Sequence, residues 1–366
     1  MSVRVGVMGT SWWADSMYLP ALAAHPDVEL VGLCGRTEST TVALAEQWSV
    51  PWATLDSGEF LDPDRLDAVV VATSNDSHES LTMRALDRGL HVLCEKPIAT
   101  SYAAARRMAD AAASSGAITL VPFTYRYMPT NQYVKRLIDD GFVGHPRHLN
   151  LRYFAGYARE PGYNWRFDTQ RAGSGVLGDL GSHWIDLALW LMGEITEIGC
   201  VSARFVERPD RPDGSDYERS EDSAVMTVRF GNGGYGTLQV CAVCWEGTDF
   251  HQTHHLDLHG ADGTLYSLND WSTVQEVRGL SAGATGPASV LTIPDDIWRG
   301  ARRGRVHDTY RDVFRVNRAM IGDWIDAIHA GRAAAPDLAH GARVQQLLEL
   351  AQRSAAGDGR LLDARV

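Results

Sequence analysis

The 366-residue sequence lacks any apolar run of about 18 residues, the length that a membrane-spanning helix requires. It contains only five cysteines, and so odd and sparse a set is not typical of the disulfide frameworks of secreted proteins. The segment from Met1 to Gly6 has neither the apolar core nor the cleavage site of a signal peptide. We therefore expect a cytoplasmic protein with free thiols and no membrane partner.

Basic charge is also scarce, since 34 Lys and Arg residues face 46 Asp and Glu residues and the formal net charge is −12. This balance excludes the basic surface that binding to nucleic acid or to an anionic membrane requires. Hydrophobic residues make up 45% of the chain and charged residues 22%, which is typical of a globular protein. The length predicts two domains.

Strand and helix patterns alternate through residues 1–122, from the strand Val3–Met8 and the helix Trp12–Ala24 onward. Such alternation predicts an α/β domain with a doubly wound parallel sheet. In residues 123–366, strand patterns such as Gly236–Trp245 follow one another without helices between them, and a helix near Val313–Ala330 comes late in the chain. We therefore expect a second, α+β domain with an open, mostly antiparallel sheet.

A turn that could bind phosphate follows the first strand, and its sequence is Gly9, Thr10, Ser11, Trp12, Trp13, Ala14. A strand, a tight turn and a helix N-terminus together direct free N–H groups and the helix dipole at an anion. The turn matches the dinucleotide fingerprint at its first and last small positions. Ser11 replaces the middle glycine, and its side chain either crowds the pyrophosphate or donates a hydrogen bond to it.

The second strand ends at Cys34 and is followed by Gly35, Arg36 and Thr37. A site that prefers NAD usually has an acidic residue here, which accepts hydrogen bonds from the ribose. The guanidinium of Arg36 could instead hold a 2′-phosphate, so the sequence favours NADP(H). The alternative is NAD(H), with Arg36 as a solvated loop arginine.

Two further segments carry groups suited to proton chemistry. Lys96 follows the strand His91–Cys94, and ligands bind beyond the carboxyl ends of strands in such sheets. An ammonium group there could polarise an alcohol or ketone oxygen, although a surface lysine is the alternative. In the apolar helix pattern Asp179–Met192, Asp179, His183 and Asp186 share one face.

His183 is the member of this stripe that exchanges a proton near neutral pH without a large pKa shift. Asp179 could orient a substrate or the imidazole, or it could merely cap the helix. Asp186 fits a structural role better. The stripe is therefore either a paired network in the core or the lining of a pocket.

Five motifs occur in order along the chain: Gly9-Thr10-Ser11-x-x-Ala14, Ala72-Thr73-x-Asn75-x-x-His78, Glu95-Lys96-Pro97, Tyr125-Arg126, and Ala172-Gly173-x-Gly175-x-x-x-Asp179-x-Gly181-x-His183-x-x-Asp186. This combination resembles the glucose–fructose oxidoreductase / inositol dehydrogenase / rhizopine-catabolism (Gfo/Idh/MocA) family, from residue 3 to about residue 355. Ser11 departs from the family pattern, and so does Ser174, which replaces the middle glycine of a common Gly-Gly-Gly.

The resemblance implies a Rossmann domain followed by a domain whose open sheet forms a dimer or tetramer interface. It implies hydride transfer between a nicotinamide and a sugar, glycoside or cyclitol, with Lys96 and His183 catalytic and Asp179 orienting the substrate. It implies a cis bond before Pro97. The expected cofactor-binding set is Gly9, Thr10, Ser11, Trp12, Trp13, Gly35, Arg36, Thr37, Thr73, Asn75, His78, Glu95 and Lys96. For Trp12 and Trp13, packing of the helix is an equal alternative. The substrate-binding set is Lys96, Tyr125, Arg126, Tyr157, Trp165, Arg166, Asp179 and His183.

Two other functions are compatible with the same resemblance. Some relatives in such a family oxidise a sugar carbon transiently, eliminate the glycosidic substituent and then restore the cofactor, so that no net redox change occurs. A non-catalytic regulator that senses a dinucleotide would be expected to have lost the lysine or the histidine, and both are present here.

Two clusters of side chains resemble binding sites, but we expect neither to be one. Cys241 and Cys244 fall on a strand pattern, where residues i and i+3 point to opposite faces, so no metal site is expected despite the nearby histidines. The arginines between Arg299 and Arg305 fit a solvated loop, or a site for an anionic group of the substrate.

Overall fold

The computed structural model describes residues 2–248, 250–316 and 319–365 of the chain. The chain forms two compact units. The first comprises residues 1–123 and 311–345, and the second comprises residues 124–310 and 346–366. The sequence predicted two contiguous domains, so the placement of residues 311–345 differs from that prediction.

The first unit is built on a six-stranded parallel sheet with the strand order β3-β2-β1-β4-β5-β6. Its strands are β1 (Val3–Met8), β2 (Val28–Cys34), β3 (Trp52–Thr54), β4 (Ala68–Val71), β5 (His91–Cys94) and β6 (Thr119–Leu120). Every residue of β4 is fully buried, as expected for a strand covered on both faces. The predicted doubly wound sheet is confirmed, and its strand order reverses between β1 and β4, where such sheets bind ligands.

Five helices accompany these strands in residues 2–123: α1 (Leu19–Ala24), α2 (Glu38–Gln47), α3 (Ser57–Phe60), α4 (Asn75–Asp87) and α5 (Tyr102–Ser115). The helix predicted over Trp12–Ala24 is present, but residues Ala14–Tyr18 form a π-helical turn before α1. Pro20 lies in the first turn of α1, where its missing N–H group is tolerated. The distortion of this helix therefore lies before the proline rather than at it.

The second unit contains a nine-stranded sheet with the order β14-β13-β12-β11-β7-β10-β9-β8-β15. Its strands are β7 (Pro146–Ala155), β8 (Ile195–Ala203), β9 (Ser223–Phe230), β10 (Tyr235–Cys241), β11 (Gln252–Gly260), β12 (Gly263–Asn269), β13 (Gln275–Ser281), β14 (Ser289–Leu291) and β15 (Leu362–Asp363). All neighbours pair antiparallel except β7 and β10. Buried and exposed residues alternate along β9, so one face of the sheet is open, and the predicted architecture is confirmed.

The remaining helices are α6 (Pro129–Asp139), α7 (Thr169–Ala172), α8 (Ser182–Met192), α9 (Asp295–Trp298), α10 (Val306–Arg315), α11 (Met320–Ala330) and α12 (Leu338–Ala356). The predicted helix Asp179–Met192 is wrong at its start, because Leu177–Gly181 forms a π-helical turn and α8 begins at Ser182. No helix in residues 2–248, 250–316 or 319–365 has both the length and the apolar character that crossing a membrane requires.

Residues 311–345 belong to the first unit because they complete the edge of its sheet. The backbone N–H of Val121, which follows β6, donates to the carbonyl of Pro336 at 2.8 Å. The indole of Trp324 on α11 is fully buried and donates to the carbonyl of Ile118. Helical periodicity predicts which residues of α11 are buried, but it does not predict which sheet they cover. The assignment of residues 311–345 to the first unit therefore could not be predicted from the sequence pattern.

Replacing Trp324 by alanine is expected to lower the free energy of unfolding by about 3–5 kcal/mol, because it empties a large, fully buried site. Trp12→Ala is the matched control, since this indole is 64% exposed and its loss should change stability by less than about 0.5 kcal/mol. Urea unfolding followed by circular dichroism measures both. Equal midpoints for Trp324→Ala and the wild type would contradict the role of residues 311–345 in the first core.

Candidate active site

In the first unit, the turn after β1 lies against the loop after β4. Gly9 has a φ of 113°, and a Cβ atom at this position would lie 2.3 Å from the carbonyl oxygen of Ala72. Its N–H donates to the carbonyl of Cys34 at the end of β2. Only glycine fits both the conformation and the close approach. The turn therefore brings backbone, and not side chain, to the edge of the sheet where a phosphate would bind.

The exposed side chain of Ser11 stands where the helix after this turn begins, and the backbone N–H of Asp15 donates to its carbonyl. Thr10 lies next to Gly35, where a Cβ atom would fall 2.8 Å from the threonine side chain. Glycine at Gly9 and at Gly35 thus lets the turn after β1 pack directly against the ends of β4 and β2. This close packing leaves the turn backbone at the sheet edge where dinucleotide-binding folds hold a pyrophosphate.

Arg36 and Thr37 follow Gly35 at the end of β2. The Arg36 side chain is exposed, and no carboxylate among the described residues pairs with it. Thr37 precedes α2, and its carbonyl accepts a hydrogen bond from the Thr41 hydroxyl at 2.8 Å. A guanidinium held at this strand end remains available to an anion.

His78 joins the loops after β4 and β5. It is fully buried, and its ring nitrogens lie 3.0 Å from the carbonyl of Pro97 and 3.1 Å from that of Thr73. Burial lowers the pKa of His78, so the ring is neutral and donates to one of these carbonyls. It can therefore affect a cofactor only through the loops that it holds. Asn75, at the start of α4, is 8% exposed.

Glu95 also acts inside the unit. One oxygen of its buried carboxylate accepts hydrogen bonds from the Trp13 indole and the Tyr18 hydroxyl, both at 2.6 Å. The other accepts from the backbone N–H of Lys96 at 3.0 Å. The expectation that Glu95 binds the cofactor directly does not fit these contacts, because its acceptors are engaged. It instead fixes the backbone of Lys96 against the first helix.

Lys96 itself follows β5 at the carboxyl edge of the sheet and is half-buried. Its peptide bond to Pro97 is cis, as the resemblance implied. Trp12 remains largely exposed beside Trp13, with ring centroids 6.0 Å apart. The residues that follow β1, β2, β4 and β5 thus meet at one edge of the parallel sheet, as the sequence predicted for this half of the site.

In the second unit, the π-helical turn before α8 places Asp179 among three residues of the substrate set. The Tyr157 hydroxyl donates to the Asp179 carboxylate at 2.6 Å, and the Arg166 guanidinium lies 3.4 Å from the same oxygen. Arg166 also stacks 4.8 Å from the Trp165 ring. Asp179 is therefore not a helix cap, and the structure does bring these predicted residues together.

His183, four residues after Asp179, is buried at 4% exposure and packs 4.4 Å from the Tyr125 ring. The Tyr125 hydroxyl is 2.7 Å from that of Tyr153, and burial raises its pKa well above the usual range. Tyr125 is itself 4% exposed. We therefore correct its predicted role from sugar contact to orientation of the His183 imidazole.

Arg126 requires a similar correction. Its guanidinium binds both oxygens of Asp186, with distances between 2.6 and 3.1 Å. The Asp186 side chain is 1% exposed and that of Arg126 is 12% exposed. The Arg126 guanidinium, which was expected to bind substrate, is thus engaged in a buried ion pair. The pair supports the structural interpretation of Asp186.

Sequence reasoning missed a polar network behind His183. The Gln252 amide donates to the Tyr153 hydroxyl at 2.9 Å, and the Trp271 indole donates to Nε2 of His254 at 3.1 Å. Burial lowers the pKa of His254 well below the usual range, so this ring is neutral. The alternation of Gln252 and His254 on β11 was a signal that two polar side chains share one buried face.

The predicted strand Gly236–Trp245 is wrong at its end, so Cys241 and Cys244 do not share a strand. Strand β10 ends at Cys241 and does not reach Cys244, whose thiol lies in hydrogen-bonding contact with that of Cys241. Burial raises the pKa of Cys244 to about 12. Within the part of the chain that the structure describes, no three metal-ligating side chains converge.

Two arginines of the cluster pair with carboxylates. Arg303 lies 2.6 Å from Asp295, and Arg302 lies 3.4 Å from Asp308. These contacts favour the solvated-loop interpretation of the segment.

Family models match most of the chain. One described as an oxidoreductase family with an NAD-binding Rossmann fold matches residues 3–123. Another, described as the GFO/IDH/MocA C-terminal domain, matches residues 131–266. The first match covers the parallel sheet, and the second covers the segment with Asp179 and His183.

Individual proteins show the same likeness. An uncharacterized oxidoreductase of Synechocystis is 24% identical over 363 residues, which cover 96% of this chain and 94% of that protein. Levoglucosan dehydrogenase of Pseudarthrobacter phenanthrenivorans is 28% identical over 261 residues, 64% of this chain and 66% of that one. A solved structure of levoglucosan dehydrogenase in complex with NADH and levoglucosan superposes with a TM-score of 0.87 at 21% identity, over 99% of each chain, which shows the shared fold.

Replacing Arg126 by alanine is expected to lower the free energy of unfolding by about 3–5 kcal/mol, because it leaves the buried Asp186 carboxylate unpaired. The matched control is Arg136→Ala, which removes an exposed pair with Asp296 and should cost at most about 1 kcal/mol. Chemical unfolding at neutral pH compares the two. Similar small losses in both variants would argue against the structural role of the buried pair.

Proposed function

The chain belongs to the Gfo/Idh/MocA oxidoreductase family, and on that premise we propose that it transfers a hydride between a nicotinamide and a secondary alcohol or ketone of a sugar, glycoside or cyclitol. The observation that carries the proposal is Asp179, held between the Tyr157 hydroxyl and the Arg166 guanidinium one helical turn before His183. Such a group binds hydroxyls of a polyol and places one of them at an acid–base group.

Each protein group has a distinct role in this proposal. His183 takes the proton from the substrate hydroxyl or returns it, because imidazole titrates near neutral pH. Lys96 stabilises the negative charge that develops on the substrate oxygen. Asp179 and Arg166 orient the substrate, and Tyr125 orients His183 by ring packing. The bound nicotinamide dinucleotide supplies the hydride acceptor or donor.

The glycines Gly9 and Gly35 of the first unit support binding of a dinucleotide. Gly9 and Gly35 allow the turn after β1 to pack closely against the ends of β4 and β2, and Ser11 presents an exposed hydroxyl where the following helix begins. At the end of β2, the free guanidinium of Arg36 favours NADP(H) over NAD(H), because it matches a 2′-phosphate and no acidic residue follows the strand directly. NAD(H) is the alternative that the measurement below distinguishes.

We propose a homodimer or homotetramer assembled through the open face of the nine-stranded sheet. Exposed apolar side chains on its strands support this assignment, among them Val201 at 66% and Val225 at 42% exposure. We also propose a cytoplasmic location, which the free thiols of all five cysteines support.

Lys96→Ala and His183→Ala are each expected to lower turnover by ~100-fold or more, because each removes a group that handles charge in the transition state. Both variants should still bind the dinucleotide, since the glycine turn is untouched. The assay follows reduced nicotinamide by absorbance across a panel of sugars and cyclitols. Lys135→Ala, which removes a surface lysine paired with Asp139, is the control and should keep full activity.

Undiminished activity in either Lys96→Ala or His183→Ala would contradict the assigned roles. Release of a sugar from a glycoside without net change of the cofactor would instead identify the redox-neutral cleavage.

Arg36→Ala is expected to weaken NADPH binding by about 10- to 100-fold while leaving NADH binding unchanged, because it removes charge-assisted hydrogen bonds to a phosphate. Energy transfer from tryptophan to the bound nicotinamide gives both dissociation constants. Arg106→Ala on α5 is the matched control, since its side chain is 69% exposed. If the wild type binds NADH more tightly than NADPH, Arg36 does not bind the 2′-phosphate.

A further inference from the structure

An exposed aromatic residue and a guanidinium without a carboxylate partner lie beside the Asp179 group. Trp245 is 81% exposed, the largest exposure of any large hydrophobic side chain in the described residues. The Arg159 guanidinium stacks on its ring at 3.6 Å from the centroid. Nε and Nη1 of Arg159 are buried and meet no hydrogen-bond acceptor among residues 2–248, 250–316 and 319–365. The stacked guanidinium fixes the indole in one orientation, and so large an exposed aromatic surface marks a binding site.

The backbone brings this pair to the segment that carries Tyr157. A Cβ atom at Gly156 would lie 2.7 Å from the carbonyl oxygen of Cys244 and 3.2 Å from Nε of Arg159. Gly156 therefore allows the turn after β7 to pass under the guanidinium and against the chain that leads into Trp245. Tyr157, the next residue, is 46% exposed and bonds Asp179.

The turn is also rigid, so that Arg159 is presented in one place. The backbone N–H of Ala158 donates to the carbonyl of Ala242 at 3.0 Å. The Arg208 guanidinium donates to the carbonyls of Ala158, Glu160 and Gly162. Fixed backbone on both sides of Arg159 means that little conformational freedom is lost when a ligand binds there.

We propose that Trp245 and Arg159 form a second carbohydrate subsite, which binds the next sugar ring of a glycoside whose first ring lies at Asp179. The ring's C–H face stacks on the face of the indole that Arg159 leaves exposed, and the guanidinium stacked on the other face holds the indole in place. The inference rests on the proposed function and narrows its substrate to a glycoside of two or more rings. A polyol of one ring leaves this subsite empty.

The test is isothermal titration calorimetry on the full chain with reduced nicotinamide dinucleotide present, which prevents oxidation of the probes. The probes are methyl β-cellobioside and methyl α-maltoside, each compared with the methyl glucoside of the same anomer. At least one disaccharide should bind about 3- to 10-fold more tightly than its one-ring partner, the range that one aromatic contact contributes.

Trp245→Ala should abolish this gain without changing the affinity for the one-ring probe, and Arg159→Ala should reduce it. Trp245 is largely exposed, so Trp245→Ala should fold, and thermal unfolding checks both variants. Phe205→Ala, which removes a ring 69% exposed in the same unit, is the matched control and should keep the gain.

The subsite is overturned if neither disaccharide gains affinity over its one-ring partner, or if Trp245→Ala keeps the gain. Because these outcomes concern affinity ratios, they leave the proposed hydride transfer to be judged separately by Lys96→Ala and His183→Ala.

Discussion

The close contact between Gly9 and the carbonyl of Ala72 is the constraint on which the first half of the site depends. Because no side chain separates them, the turn after β1 rests directly on the loop after β4. His78 then ties that loop to the carbonyl of Pro97, and Glu95 ties the same region back to the helix that follows Gly9. The loops form a closed ring of contacts, so a shift in one is opposed by the others.

In the second unit, the carboxylates of Asp179 and Asp186 lie seven residues apart but differ in burial and in pairing. Asp186 is sealed inside with Arg126 and serves stability, whereas Asp179 is partly exposed and shared between Tyr157 and Arg166. A buried pair in which each charge has its partner has little to offer a ligand. The carboxylate whose partners are themselves half exposed is the one that can exchange a tyrosine hydroxyl for a substrate hydroxyl.

The alternation of strands and helices predicted the parallel sheet, and the position of Lys96 after β5 placed it at the correct edge. Contacts between residues that are distant in sequence could not be predicted. Arg126 and Asp186 lie 60 residues apart, and Trp13 and Glu95 lie 82 residues apart. Periodicity reports which residues are buried, and it does not report which atoms satisfy their polar groups. For that reason Arg126 and Glu95 were assigned to ligands although the protein itself uses them.

The discontinuous first unit has a consequence for synthesis on the ribosome. Residues 1–123 emerge first, but the N–H of Val121 at the sheet edge meets its acceptor, Pro336, only after the intervening 124–310 have been made. Domains generally begin to fold as they emerge, so this sheet spends much of translation with an uncovered edge. An uncovered edge strand is a template for pairing with another chain. A nascent or truncated chain that stops short of residue 336 therefore carries an aggregation hazard that residues 311–345 reduce.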